Sequence, residues 1–598
     1  MVKHLPLSLL AVALIPASMV AQSITPFTNT PSMLPSTVYS GNAVAVCDMN
    51  NDFKDDIVRD SANKKMFICF QQAPNAVFNE TRYVGSFGSP WGLCIGDYNN
   101  DGYNDVFQGS SSNAYLLTSN AAASFTYENM TTLYGGSSVF TQGCNFADIN
   151  NDGNLDLFIC HDTGMPKVYK GNGSSGGWVF DQSIIPLATS PSSDNSGNYA
   201  SIWTDVNADG FIDLMITHCR QSVSNPTDAR RIDQVFINNG NGTYTQDVTN
   251  WTNLRDGAQG WSTAWGDFDN DGDMDAFVLN YDVESKMMVN NGSGVFTDIF
   301  ATFGVASTLT YFGENASWHD FDNDGFLDLL ISGDEAYLYR NNGNNTMTLV
   351  TQPFPYVTSS TQRYMRGTGI GDLNNDGFLD VYGTYAGLYN SPSSSRADRV
   401  WINTCNNNGN HWVKYSLVGG AVSGMSNKNG IGAIVKIYGS WGVQVREVRS
   451  GEAYGLQNSL SLYFGLGSAT TIDSTVVIWP SGIVDHLLTL SPDQSYVLNE
   501  GASPLSVHNN ATANFNMIMG PNPMSSEVTL QFYGADQVGG LSNLSLQIVD
   551  VTGKVVYSET SLTDNVVVIN RDNLASGMYV VQVRNADGVV NSQKLMVH

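Results

Sequence analysis

Acidic and amide side chains recur at alternate positions of one pattern, D-x-[DN]-x-D-G-x-x-D, between residues 48 and 380. The copies read DMNNDFKDD from Asp48, DYNNDGYND from Asp97, DINNDGNLD from Asp148 and DVNADGFID from Asp205. Three more follow: DFDNDGDMD from Asp267, DFDNDGFLD from Asp320 and DLNNDGFLD from Asp372. At positions 1, 3, 5 and 9, loop 1 carries Asp48, Asn50, Asp52 and Asp56, loop 2 Asp97, Asn99, Asp101 and Asp105, and loop 3 Asp148, Asn150, Asp152 and Asp156. Loop 4 carries Asp205, Asn207, Asp209 and Asp213, and loop 5 Asp267, Asp269, Asp271 and Asp275. Loop 6 carries Asp320, Asp322, Asp324 and Asp328, and loop 7 Asp372, Asn374, Asp376 and Asp380. Alternate side chains of a curling backbone point to one centre, and Gly at position 6 permits the positive φ that turns the chain back. A hard, all-oxygen donor set of this size suits Ca²⁺ rather than zinc or copper. Without a cation each turn would hold three or four like charges within a few ångströms, a costly arrangement. The expected cofactor is therefore Ca²⁺, up to seven ions, one per loop. Loop 1 departs from the pattern, with Phe53 at the Gly position, and is the least complete set. An EF-hand is excluded, since position 12 holds residues such as Gln108 and Val278 in place of Glu, and the flanks read as strands.

The loops start 49, 51, 57, 62, 53 and 52 residues apart, so they belong to a repeat. An apolar strand precedes each (LCIGD, STAWGD, GTGIGD), another follows (LDLFIC, FIDLMITH, FLDLLIS), and an Asn/Gly hairpin comes next (VFINNGNGTYTQ, MMVNNGSGVFTD). Four short strands per unit with no helical period predict an all-β chain whose seven repeats are the blades of a β-propeller. After the last loop the outer strand of the seventh blade is missing, while Ile24–Asn29 resembles such a strand. The N-terminal segment is therefore expected to complete that blade and close the ring, a linear array being the alternative.

The charge balance of 27 Lys+Arg against 55 Asp+Glu, net −28, argues against nucleic acid and anionic lipid as partners. Seven divalent ions would cancel 14 of those charges. Lys3 and His4, the apolar stretch Leu5 to Ile15 and the small residues Ala17 to Ala21 read as a secretory signal peptide, residues 1–21. No later apolar run reaches about 18 residues, so no membrane span is expected. Seven cysteines, an odd number without C-x-x-C spacing, read as buried single thiols, a disulfide framework being the alternative.

On these motifs the repeats resemble the FG-GAP/VCBS family of calcium-binding propellers, over roughly Asp48 to Asp380. The resemblance implies that the loop between the first and second strands of each blade binds Ca²⁺ on one face of the ring. The segments NHWVKYSLVG, NGIGAIVKIYG, REVRSGEAYGLQ, LYFGLG and IWPSG resemble the ASPIC/UnbV domain, giving a small β-domain over 405–500 after a ring of residues 22–404. Its Arg446 and Arg449 read as a solvated strand face, with contact to an acidic ligand as the alternative. After a polar linker at 501–514, GPNPMSSEVTLQF, LQIVDVTGKVVYSE, NLASGMYVVQV and QKLMVH are similar to the C-terminal sorting domain of type IX secretion, a β-sandwich over 515–598. That implies the type IX export machinery as a partner, and a secreted or cell-surface location.

Catalytic signals are weak. The G-x-S-x-G at Gly173–Gly177 lies in a Gly/Ser-rich hairpin rather than a strand-to-helix elbow. His161, His218 and His319 read as packed or surface histidines, and Trp91, Trp203, Trp265 and Trp318 as packing between blades, with sugar stacking as the alternative. The expectation is an exported binding or adhesion protein, not an enzyme, whose ligand is a glycan or an extracellular protein. A calcium-dependent polysaccharide lyase and a structural surface protein without specific ligand are the alternatives.

Overall fold

The strand leading into each acidic loop is buried along its whole length, His319 alone being partly exposed. These strands are Val44–Cys47, Gly92–Gly96, Thr141–Ala147, Asn198–Thr204, Gly260–Gly266, Gly313–His319 and Met365–Gly371. They converge on one axis with neighbouring strands on both sides, so strict apolar–polar alternation is absent and small residues are required. In GTGIG, a Cβ on Gly367 would stand 1.9 Å from Asn42 O, and one on Gly371 2.5 Å from Val46 Cγ1.

The structure, a computed structural model, describes residues 24–597 except 62–64, 85–89, 121–123, 131–137, 188–195, 249–252, 256, 293, 308–312, 356–363, 423, 503–515, 521–523, 525, 534–539, 551–553, 572–573, 576 and 586–587. The expected signal peptide and nearly all of the expected linker lie outside the described residues. The chain is 46% strand and 2% helix.

Six antiparallel sheets follow in chain order over 44–84, 92–129, 141–180, 198–247, 260–298 and 313–349. A seventh consists of Met365–Gly371, Asp380–Tyr385, Arg399–Ile402 and, as its outer strand, the N-terminal Thr28–Asn29. Thr28 pairs with Ile402 and Asn29 with Trp401, as the N-terminal closure requires. Each innermost strand packs on the next, and the last packs on the first. Phe27 locks this seam: it is 2% exposed, with its ring 5.5 Å from Phe321 and 5.1 Å from Phe354.

Residues 411–499 form two further sheets. One joins Leu462–Gly467, His411–Val418 and Gln494–Asn499; the other joins Gly442–Glu447, Ile434–Gly439, Ile472–Ile478 and Val484–Leu490. Val413, Tyr415, Phe464 and Trp479 share one apolar core with Cys94, Phe107, Phe146 and Leu157 of the second and third blades. Between the two sheets the chain enters the ring, where Leu456–Gln457 pairs in parallel with Val44 and Ala45 at the axis. The expected β-domain is present, fused to the propeller by a common core and a shared sheet. The tail has its own core of Leu530, Leu546, Ile548, Val581 and Leu595 between two sheets. There Gly577 pairs with Val597 and Tyr579 with Leu595.

Truncating Phe27 to alanine removes the buried ring that precedes the closing strand. The variant is expected to lose about 3–5 kcal/mol of stability in chemical denaturation; a loss below about 1 kcal/mol would mean that the seam does not hold the ring.

Candidate metal centres

Each acidic loop is wound around its first carboxylate. In loop 2, Asp97 accepts the amides of Asp101 at 3.0 Å and Gly102 at 2.7 Å. Loop 7 repeats this with Asp376 at 3.0 Å and Gly377 at 2.8 Å donating to Asp372. Loop 1 does the same with Asp52 at 3.2 Å and Phe53 at 2.7 Å donating to Asp48. Position 6 has positive φ throughout, from 86° to 101° at the six glycines and 62° at Phe53. Position 4 is also left-handed, at Asn51, Asn100, Asn151, Ala208, Asn270, Asn323 and Asn375. Asn tolerates this conformation better than most residues, which explains its recurrence at a position that the ligand pattern leaves unspecified.

The last carboxylate does double duty. Asp105 accepts the Tyr98 amide at 3.3 Å with one oxygen and the Ser119 amide at 2.7 Å with the other. Asp380 likewise accepts Leu373 at 2.9 Å and Asn403 at 2.7 Å. Position 9 thus ties the loop to the third strand of its blade, and each oxygen keeps a second lone pair for a cation.

Two loops bring three carboxylates together. One oxygen each from Asp267, Asp269 and Asp275 lies within 4.8 Å of the others, and Asp320, Asp322 and Asp328 repeat the arrangement. These groups can hold a metal ion. In loop 5, Asp267 Oδ2 and Asp269 Oδ1 are buried and accept no hydrogen bond among the described residues. In loop 6, Arg340 from the third strand of the blade donates to Asp322 at 2.8 Å and to Asp324, so positive charge is already there. Where position 3 is Asn, its side chain meets position 5: Asn99–Asp101 at 3.2 Å, Asn150–Asp152 at 3.1 Å, Asn207–Asp209 at 3.0 Å and Asn374–Asp376 at 3.1 Å.

Without a cation the loops are electrostatically unfavourable. Burial raises Asp97, Asp148, Asp205, Asp267 and Asp372 to about 7 and Asp48 to about 6, and neighbouring carboxylates add to the shift. Burial likewise raises Asp275 to about 10.

The segment at 405–500 lies over these loops. Asn429 Oδ1 accepts the Asp97 amide at 2.6 Å, and Lys414 donates to Phe53 O at 2.9 Å. Asn410 donates to Asp322 O at 2.8 Å. Glu447 accepts the Asp205 amide at 3.1 Å and the Thr204 hydroxyl at 2.6 Å, and Arg449 donates to Trp265 O at 2.8 Å. Arg446 lies close enough to Asp267 and Asp320 for its charge to favour both carboxylates. The solvated strand face expected for Arg446 and Arg449 is therefore corrected. They are partly buried against the ring, and the acidic groups facing Arg446 belong to the same chain. Only the fold could reveal this, because the contacts span more than a hundred residues.

The other sequence candidates lie in or beside strands and in one turn. Residues 173–177 join Lys167–Lys170 to Val179–Phe180 as a hairpin turn. His218 is fully buried with Nε2 3.0 Å from Asn198 Oδ1, and burial lowers it to about 4 and His319 to about 3, so both are neutral. All seven cysteines are buried and unpaired. Trp203, Trp265 and Trp318 are buried against neighbouring rings, whereas the half-buried Trp91 stands at the opposite end of its strand from the loop.

Family models match three parts of the chain. A family model of FG-GAP-like repeats matches five overlapping stretches from residue 97 to residue 383. The ASPIC and UnbV model matches 423–505, and a secretion system C-terminal sorting domain matches 519–598. The chain carries these three parts in that order, and the tail assigns it to type IX export and to the cell surface or the medium. Among the described residues no helix is long and apolar enough to cross a membrane. No curated protein matches the chain. Similar solved structures include BBS1N in complex with ARL6DN, at 9% identity over 64% of this chain and 97% of that one, TM-score 0.38. A Bacillus licheniformis rhamnogalacturonan lyase matches at 11% identity over 64% and 75%, TM-score 0.33. The Dos1 propeller matches at 9% identity over 60% and 81%, TM-score 0.35.

Two outcomes follow from the loop geometry. A carboxylate whose folded-state pKa lies above its unfolded value stabilises the fold when protonated, and that contribution is lost as pH rises through the folded value. In excess chelator, melting temperature is therefore expected to rise as pH falls from 8 to 5; a fall across that window would contradict the burial of these groups. Phe53→Gly relieves a bulky side chain at φ 62° and is expected to stabilise by about 1 kcal/mol in denaturant titration. Destabilisation would mean that the Phe53 ring contributes more packing than its backbone costs.

Proposed function

We propose that the acidic loops are Ca²⁺ sites, up to one per loop, and that the calcium-stabilised ring is an exported binding module rather than an enzyme. The ligands are the side chains at positions 1, 3, 5 and 9 and the carbonyl at position 7. The observation that carries the reading is loop 5, where three carboxylates converge and Asp267 Oδ2 and Asp269 Oδ1 are buried without hydrogen-bond partners among the described residues. Leaving buried acceptors unpaired is costly, and a hard divalent cation satisfies several at once. Loop 6 is the weakest candidate, because Arg340 competes for Asp322 and Asp324. Sites of this kind on extracellular modules bind with dissociation constants of about 10⁻⁴–10⁻³ M. A rigid ring offers loops for recognition, and the ligand class is a glycan or an extracellular protein. Processive cleavage of a polysaccharide by the purified protein would favour a lyase instead.

Millimolar calcium is expected to raise the melting temperature of the mature protein and EDTA to lower it. Asp271→Ala is expected to abolish more of that shift than Asp52→Ala, because loop 5 offers four carboxylates and Gly272. An unchanged melting curve across millimolar calcium would sink the reading.

Export tests the rest. The tail packs on its own core, so deleting 515–598 is expected to leave a folded protein retained in the periplasm. Cell fractionation reads the outcome. Arrival of the truncated chain at the surface or in the medium would show that the tail is not the sorting signal.

A further inference from the structure

The ring has two faces, and residues 405–500 cover the one that bears the acidic loops. At the other face, five inner strands begin with a β-bulge, between Thr141/Cys144, Asn198/Ala200, Gly260/Ser262, Gly313/Asn315 and Met365/Gly367. The residues set aside from the ladder include Tyr199, Trp261, Glu314 and Arg366. A bulge bends its strand and re-aims a side chain, and bulges concentrate beside functional sites. Here they surround Tyr454, delivered down the axis by the segment that pairs with the first blade. The Tyr454 ring centroid lies 5.4 Å from Trp261, 6.0 Å from Trp91 and 6.2 Å from Tyr199. Its amide donates to Asn315 Oδ1 at 2.9 Å, and its carbonyl accepts Asn42 Nδ2 at 2.7 Å. The Tyr454 hydroxyl, Glu314 Oε2 and Trp261 Nε1 are buried without hydrogen-bond partners among the described residues.

Beside this cluster opens a cavity of about 660 Å³, within the range of small-ligand sites, roughly 300–1,000 Å³. Trp261 and the half-buried Tyr281 and Tyr389 line one side. The lining also includes the exposed polar turn Gln221–Ser222, held by two further lining residues: Gln259 accepts from Arg220 N at 2.7 Å and donates to Arg220 O at 2.9 Å, and Arg231 donates to Val223 O at 3.0 Å. Two residues of this lining, Tyr389 at φ 46° and Ser222 at φ 67°, hold left-handed backbone. For a bulky side chain that conformation costs about 1 kcal/mol or more and persists where the surroundings impose it, most often at functional sites. The Tyr389 ring stacks on Trp261 at 5.2 Å and 21°. Arg231 and Asp282, both in the lining, pair at 2.5 Å, and beside them Arg366 pairs with Glu314 and with Asp334 at 2.5 Å.

We propose that this mouth is a carbohydrate subsite that takes a neutral sugar unit of a glycan chain. This deepens the binding-module reading and rests on it. Aromatic rings match the apolar face of a pyranose, the amide and hydroxyl of Gln221 and Ser222 match its hydroxyls, and Arg231 and Arg366 are already paired with carboxylates rather than held for an anionic ligand. The pre-set wall and the strained tyrosine reduce what must be ordered on binding.

The test is isothermal titration of the calcium-loaded mature protein with cello-, xylo-, manno-, laminari-, malto- and chito-oligosaccharides, and with oligogalacturonate as the anionic arm. Saturable binding of a neutral oligosaccharide is expected. It should weaken at least tenfold in Tyr389→Asn, which keeps a residue tolerant of positive φ, and in Tyr281→Ala, each checked by melting temperature. Tyr127→Ala, removing an exposed ring on an outer strand, should change nothing. Neutral binding that survives both substitutions overturns the site. Preference for oligogalacturonate, or no glycan binding at all, overturns the class while the calcium-stabilised ring stands. Loss of the calcium effect on melting overturns instead the reading beneath it.

Discussion

Carboxylates packed side by side in a turn, and then covered by protein, require compensating positive charge. This constraint organises the ring. Part of the compensation comes from the chain: Arg340 in loop 6, Lys170 at 3.4 Å from Asp152 in loop 3, and Arg446 near Asp267 and Asp320. In loop 5, Asp267 Oδ2 and Asp269 Oδ1 accept no hydrogen bond among the described residues, and Arg446 acts on Asp267 through its charge alone. Because position 9 of each loop also anchors the third strand of its blade, the charge state of the loop and the integrity of the sheet are coupled.

The same constraint divides the two faces. The acidic-loop face is partly covered by residues 405–500, which contribute both counter-charge and apolar core, while Asp52, Asp101, Asp152, Asp209 and Asp271 stay exposed. The opposite face keeps its bulges, its half-buried aromatics and its strained tyrosine. The sorting tail stands apart with a separate core, consistent with a part that serves export rather than recognition.

The features legible in the sequence were those written in local pattern. The loop motif, the four strands around it and the N-terminal closure all leave short-range signatures, and Thr28–Asn29 pairs where that closure requires. Asn at position 4 was equally visible, but it records a backbone angle rather than a ligand, so the metal pattern passed over it. The burial of Arg446 and Arg449, the insertion of Leu456–Gln457 and the intrusion of Arg340 into loop 6 depend on contacts between distant segments or strands. The bulges escaped because one extra residue in an already buried strand leaves hydrophobicity unchanged.

The central claim is that cations hold the acidic loops. Its most direct test is to count metal in the mature protein, dialysed against millimolar calcium and then briefly against buffer passed over chelating resin, by elemental mass spectrometry. The expected result is several calcium ions per chain, with fewer in a protein carrying Asp267→Asn and Asp269→Asn. Less than one ion per chain would contradict it.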